Sequence, residues 1–230
     1  MPALGLLGAA TFAPPARSGG ADAIALVVLL TQFAMLRAPL ARSQVRLYAW
    51  QSTAVSALAI FLASTRHAPD LYALAALSFS LKAVLVPRVV LRLLRDAPAD
   101  VATSSRLGVA TTVLVALALS VFGFFVVGRV PIGGGSLPAP ALGMAAAVVL
   151  VAFLLAVVRA DVVSQAVGFF SLENGVSVAG LVVASGLPLL VEVAFLFDLL
   201  AAAVAFGILM RAHHSRAKTL SADVLGRLRG

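Results

Sequence analysis

The sequence predicts an all-α integral membrane protein, a polytopic transmembrane helical bundle of about seven spans, and three observations lead there. Apolar residues make up 62% and charged residues 11% of 230 positions, and the mean hydropathy is +1.09, which leaves little polar surface for a water-facing globule. The apolar residues gather in runs long enough to cross about 30 Å of hydrocarbon at roughly 20 residues per helix. These runs lack the alternating period of barrel strands, and backbone groups in lipid must bond within their own segment, so helices are the structure that remains.

In chain order, residues 1–21 read as an irregular leader, apolar but carrying Pro14 and Pro15 and lacking the basic start of a signal peptide. The spans then fall at 22–41, 46–65, 70–94, 107–128, 139–158, 163–184 and 188–210. The second starts with an aromatic and polar patch, Tyr48-Ala49-Trp50-Gln51-Ser52. The third carries Lys82 and, five residues on, Pro87, which removes a backbone bond and predicts a kink near the charge. After the fourth, Gly133-Gly134-Gly135 between Pro131 and Pro138 marks an outer loop. The sixth has a second patch, Phe169-Phe170-Ser171-Leu172-Glu173-Asn174, and Pro188 begins the seventh. This organisation divides the chain into a first three-helix group (22–96), a central helix with its linkers (97–138), a second three-helix group (139–212) and a basic tail (213–230).

The formal charge of +8 is compatible with nucleic-acid binding until its distribution is considered. Thirteen basic residues follow the odd-numbered spans: Arg37, Arg42, Arg46, Arg88, Arg92, Arg95, Arg106, Arg159, and five from Arg211 onward. The opposite side has three, Arg17, Arg66 and Arg129. That bias orients the chain with its N-terminus outside and its C-terminus cytoplasmic, in the cell inner (plasma) membrane. Its partner is then the lipid bilayer and not nucleic acid. The chain has no cysteine, which removes disulfides and cysteine-ligated iron–sulfur or zinc sites. His67, His213 and His214 read as surface residues, so no metal and no cofactor is expected.

Function is pointed to by four ionisable residues inside apolar segments, Lys82, Glu173, Glu192 and Asp198. Each charge costs roughly 2.5–3.5 kcal/mol to insert, so such residues face a bundle interior, pair with one another or line an ion path. At 1.5 Å per residue, Lys82, Glu173 and Asp198 come near mid-depth, while Glu192 lies closer to the outer face. Asn174, Gln51, Ser52, Ser78 and Ser80 are positioned to hydrogen-bond them or to hold water between them, or simply to pack helices. Two readings stand side by side: buried pairs that fix helix register, and a proton or cation relay in which a Glu and a Lys that approach and separate exchange affinity for a proton.

Ser171-Leu172-Glu173-Asn174-Gly175, Leu187-Pro188-Leu189-Leu190-Val191-Glu192, Phe197-Asp198 and the tail Leu225-Gly226-Arg227-Leu228-Arg229-Gly230 together resemble the E-type membrane component of hydrogenase-4 and formate hydrogenlyase complexes. The resemblance reaches back through Tyr48-Ala49-Trp50-Gln51-Ser52 and Leu81-Lys82-Ala83-Val84-Leu85-Val86-Pro87. The last three spans are similar to the K-type component of respiratory complex I and the C-type component of multisubunit sodium/proton antiporters, and Glu173 and Glu192 match the two membrane glutamates of the K-type component. Asp198 has no counterpart there, and the first three spans lie outside that match. The resemblance implies a place in the proton-conducting axis of a membrane arm, between a quinone-site-like anchor subunit and antiporter-like subunits, with a NiFe and iron–sulfur redox module as an indirect partner.

The expectation is therefore a non-catalytic membrane subunit that couples a partner's redox reaction to proton or sodium movement. Glu173 and Glu192 exchange protons, Lys82 modulates them, and Asp198, Asn174 and Gln51 complete the polar path. The alternatives are a structural scaffold of the same arm and a stand-alone carrier of small solutes.

Overall fold

The computed structural model describes residues 18–94, 105, 107–127, 139–183 and 207. They form α1 (Ser18–Arg37), α2 (Ala41–Arg66), α3 (Asp70–Ser78), a π-helical segment (Phe79–Leu85), α4 (Val86–Leu93), α5 (Val109–Val127), α6 (Ala139–Val158) and α7 (Val162–Val183). α3, the π segment and α4 run on as one rod, so six helices among the described residues are long and apolar enough to cross a bilayer. The chain is a multi-pass helical membrane protein. Of the expected seventh span only Gly207, helical and buried, belongs to the described residues; a Cβ there would stand 3.1 Å from Leu93 Cδ1.

The first span sits earlier than 22–41. A proline disfavours helical geometry in the residue before it, and α1 accordingly stops at Arg37, ahead of Ala38-Pro39. Leu40 is extended (φ −117°, ψ 135°) and α2 starts at Ala41. Residues 18–21, read as leader, are the first turn of α1.

Pro87 acts on the third span as a change of helix type. It has no N–H to give and its ring would press on the carbonyl four residues back, and the turn ahead of it opens into seven π-helical residues. Val86 N–H bonds Leu81 O, five residues back, and Lys82 lies within this wider turn. Such insertions recur at functional sites.

Apolar helices gain little by leaving lipid for each other, so close van der Waals approach and interhelical hydrogen bonds hold them. Glycines permit that approach along α6. A Cβ on Gly168 would come 2.7 Å from Ala156 N, and one on Gly175 3.0 Å from Val149 N. The two are seven residues apart, which keeps them on one stripe of α7. Gly123 of α5 likewise lies against the Ala147 backbone, at 3.0 Å. α1 lies across α2 and α6, and α2 across α7.

Three arginines counted as topological charges also close helix ends. Arg42 donates to Leu94 O just past α4 (3.0 Å), Arg66 to Leu181 O and Val182 O of α7 (2.9 and 3.4 Å), and Arg159 to Leu36 O of α1. The last carbonyls of a helix lack intrahelical partners and carry its negative dipole end, so guanidinium groups suit them. The bonds from Arg42 and Arg159 gather the C-terminal ends of α1 and α4 and the starts of α2 and α7 at one end of the bundle, the end richer in basic residues.

The interior divides by depth. One apolar cluster, including Met35, Val45, Tyr48, Val90, Val163 and Phe170, occupies the basic end. A second, including Ala25, Val55, Leu58, Leu74, Ala145 and Leu181, occupies the other. Between them lies a belt of buried polar side chains.

Candidate functional site: a buried polar belt with an ion pair

The belt is built where α2 meets α7, and it joins the two patches that the sequence singled out. Tyr48 and Phe170 pack with ring centroids 5.8 Å apart and planes tilted by 46°. One turn further in, Asn174 Nδ2 donates to Gln51 Oε1 (3.1 Å) and to Ser52 Oγ (2.9 Å). Gln51 Nε2 in turn donates to Val28 O (3.2 Å) and to Gln32 Oε1 (3.0 Å) of α1. The Ser171 hydroxyl has two acceptors within reach, Gln51 Oε1 at 2.8 Å and Gln32 Oε1. With one proton to donate, it serves one of them at a time. Gln32, Gln51, Ser52, Ser171 and Asn174 have essentially no exposure, and every helix of this triangle is bonded to the other two.

The ion pair lies alongside. Lys82, from the π segment, donates to Glu173 Oε1 of α7 and to Ser177 Oγ (2.8 Å), and Ser177 donates to the same carboxylate oxygen (3.3 Å). The two side chains are 2% and 14% exposed. Glu173 Oε2 is buried and has no hydrogen-bond partner among the described residues. Glu173 is about 16 Å along α7 and Lys82 about 18 Å along its rod at 1.5 Å per residue, so both stand near mid-depth.

A second polar group closes the basic end. Asp161 Oδ1 accepts from Ser164 N (2.7 Å) and caps α7. Ser164 Oγ donates to Gln44 Oε1 (2.6 Å), Gln44 Nε2 to Met35 O (3.2 Å), and Gln165 Nε2 to Arg159 O (2.9 Å). Burial pushes the Asp161 carboxyl above its ordinary range, although the Ser164 hydrogen bonds and the nearby Arg159 charge pull the other way. Burial also draws the Arg159 guanidinium below its usual value, against the opposing influence of Asp161.

Of the residues expected to carry the site, Lys82 and Glu173 are in contact, and Gln51 and Asn174 are bonded to one another. Glu192 and Asp198 lie outside the described residues. Ser52 belongs to the belt, whereas Ser80 is exposed and donates to Ala76 O of its own helix (2.7 Å). Sequence reasoning passed over Gln32, Ser177, Gln44, Asp161 and Ser164 as site residues. Asp161 with Ser164 three residues on is a legible helix-start signal; a lone amide such as Gln32 in an apolar run carries a weaker one.

Fold and site thus define a multi-pass α-helical membrane protein with a buried Lys–Glu pair flanked by an amide and hydroxyl network. The chain is 29% identical over 169 residues to an uncharacterized protein of Mycobacterium tuberculosis, an alignment that takes in 73% of this chain and 77% of the other. No family model matches the sequence, and no solved structure matches it.

Proposed function

We propose that this chain is a non-catalytic subunit in the membrane arm of a group 4 hydrogenase-like or complex I-like assembly in the plasma membrane. There it contributes to proton or sodium translocation driven by redox chemistry in partner subunits. The observation that carries the reading is the Lys82–Glu173 pair at mid-depth, with one carboxylate oxygen shared by Lys82 and Ser177 and the other open among the described residues. A carboxyl that only fixed register would be expected to have both oxygens satisfied, since a buried unpaired acceptor costs about 1–3 kcal/mol. A carboxylate oxygen with no partner among the described residues is able to take up and pass on a proton.

In this reading Glu173 holds the transferable proton and Lys82 sets its affinity by approach and withdrawal. Glu192 and Asp198, outside the described residues, would on this reading extend the path toward antiporter-like and quinone-site-like neighbours. The resemblance in the Ser171-Leu172-Glu173-Asn174-Gly175 and Leu187-Pro188 motifs supports the choice of assembly. The scaffold reading has its own support in the amide network, which ties α1, α2 and α7 together without a titratable group.

Glu173→Gln separates the two. Glutamine keeps the size of the side chain and its acceptor for Lys82 but has no acidic proton. The relay predicts an assembled complex that moves fewer ions per turnover in reconstituted vesicles. Unchanged pumping would leave the scaffold as the function.

A further inference from the structure

The midplane pair and the basic-end cluster lie on the same two helices, and what stands between them is almost wholly apolar. Along α7 and its cap the polar positions are Asp161, Ser164 and Gln165, then Ser171, Glu173, Asn174 and Ser177; between them Val167 and Phe170 are buried. Ser164 and Ser171 are seven residues apart, a step of about 10 Å. On α2 the corresponding positions are Gln44 and then Gln51 and Ser52, again with one gap. Tyr48 occupies it. Its ring is buried against Phe170, and its hydroxyl has no hydrogen bond among the described residues. Tyr48 lies four residues, one helical turn, before Ser52 on the same face of α2. At the basic-end margin of the gap, Asp161 Oδ2 is a second buried oxygen with no partner among the described residues.

We infer that the α2–α7 seam is a proton access route from the basic end of the bundle to Glu173, with Asp161 as its receiving group and Tyr48 as the hydroxyl that bridges the apolar gap. The inference rests on the relay role proposed for Glu173. Each hop conserves bonds: an oxygen lone pair of Asp161, Ser164, Tyr48 or Ser52 accepts one proton, and the same group releases one onward, so no oxidant or co-reactant is required. Gln44, Gln51, Gln32 and Asn174 orient these groups but do not carry protons, because their amides neither gain nor lose one at accessible cost. Among the described residues, the charged and titratable groups facing the route are Lys82 from the π segment, Tyr48 from α2, Arg159 and Asp161 from the α6–α7 junction, and Glu173 from α7; α1 faces it with Gln32. Asp161 is fitted to receive a proton, because burial already raises its affinity for one.

Tyr48→Phe tests this directly, since it removes the oxygen and leaves the ring that packs against Phe170. The full chain is reconstituted in vesicles in one orientation, and the carboxyl stretch of protonated Glu173, identified by its loss in Glu173→Gln, is followed by infrared spectroscopy after a pH drop. With the drop applied on the basic-end side, Tyr48→Phe and Asp161→Asn should each slow protonation at least tenfold while leaving its final extent unchanged. With the drop on the other side, neither should differ from the parent protein. Parent-like rates in both variants on the basic-end side would overturn the route while leaving Glu173 as a titrating relay. A Glu173 band that never responds to pH in the parent protein would overturn the relay reading itself, and the route with it. The dependence on side is what a merely structural tyrosine would not produce, and Asp161→Asn retains an acceptor for the Ser164 cap, so loss of α7 geometry does not mimic the result.

Discussion

Removing Lys82 alone should be far more damaging than removing Lys82 and Glu173 together. In Lys82→Met, Glu173 Oε1 keeps, among the described residues, only the 3.3 Å bond from Ser177, and Oε2 still has no partner there. Breaking a buried pair by deleting one member costs about 3–5 kcal/mol, because a charge stays behind without compensation. In Lys82→Met/Glu173→Met, both charges and both desolvation costs disappear, and similar-sized apolar side chains fill the volume. That exchange is often neutral, or stabilising by about 1–4 kcal/mol. Glu173→Gln should fall between, since the amide oxygen still accepts from Lys82. The cycle should therefore give a coupling of at least about 3 kcal/mol, roughly two orders of magnitude in the unfolding equilibrium. Reversible unfolding in mixed micelles, followed by far-ultraviolet circular dichroism, measures it. A double variant no more stable than Lys82→Met would refute the pairing and place both groups in water.

Gly168→Ala should destabilise the bundle by about 1–3 kcal/mol through overpacking, because its Cβ would meet the Ala156 backbone at 2.7 Å; Gly19→Ala, with nothing within 4 Å, should be neutral or gain up to about 1 kcal/mol from helix propensity. Asp161→Asn keeps the cap acceptor and removes a carboxylate whose folded proton affinity is raised above the ordinary value of 3.8. The sign follows: a raised acid binds more protons folded than unfolded, so the parent protein loses stability as pH climbs through that window, and thermal melts should show the Asn variant gaining on it from about pH 4 upward. Topology is accessible because the chain has no cysteine. An impermeant maleimide added outside intact cells should label His67→Cys and should not label Arg46→Cys; the reverse pattern would invert the bundle and the direction of the proposed route.

The class of fold was legible in the sequence because lipid permits few alternatives. Apolar run length sets the spans, and hydropathy placed the described ones to within about five residues. The errors have local causes. Pro39 moved the first span toward the N-terminus, since helical geometry is disfavoured just before a proline, and a scan for apolar runs does not register that. Pro87 did mark a perturbation beside Lys82, but a missing N–H does not by itself distinguish a kink from a π turn. The charged members of the site were legible because a charge in an apolar run is conspicuous. Gln32, Gln44 and Ser164 were not, because an amide or hydroxyl in a helix is commonplace and its meaning depends on which helix it faces. The arginines were read for their sign alone. That Arg42, Arg66 and Arg159 each close the end of a different helix is information held only in three dimensions.

The belt divides into two kinds of polar group, and the division bears on which of them can move. Gln32, Gln51, Ser171 and Asn174 bond across three helices, and each such bond in a bilayer is worth about 0.6 kcal/mol. Several of them acting together hold α1, α2 and α7 in one register. None of these groups titrates, so they hold that register whatever the proton does. Lys82 differs in its support. It lies on a π turn, where each carbonyl has been offset by one residue from its usual donor, and that turn exists because Pro87 follows it. Reversion of the turn to α geometry would swing Lys82 around the helix axis, and the π-to-α change is local to one rod. In the proposed relay, Glu173 on α7 would stay fixed while a π-to-α change of the turn carrying Lys82 would let the ammonium withdraw, with the helices of the amide network in place. A relay needs that asymmetry, because a pair locked on both sides holds its charges together and has no means of changing its affinity for a proton.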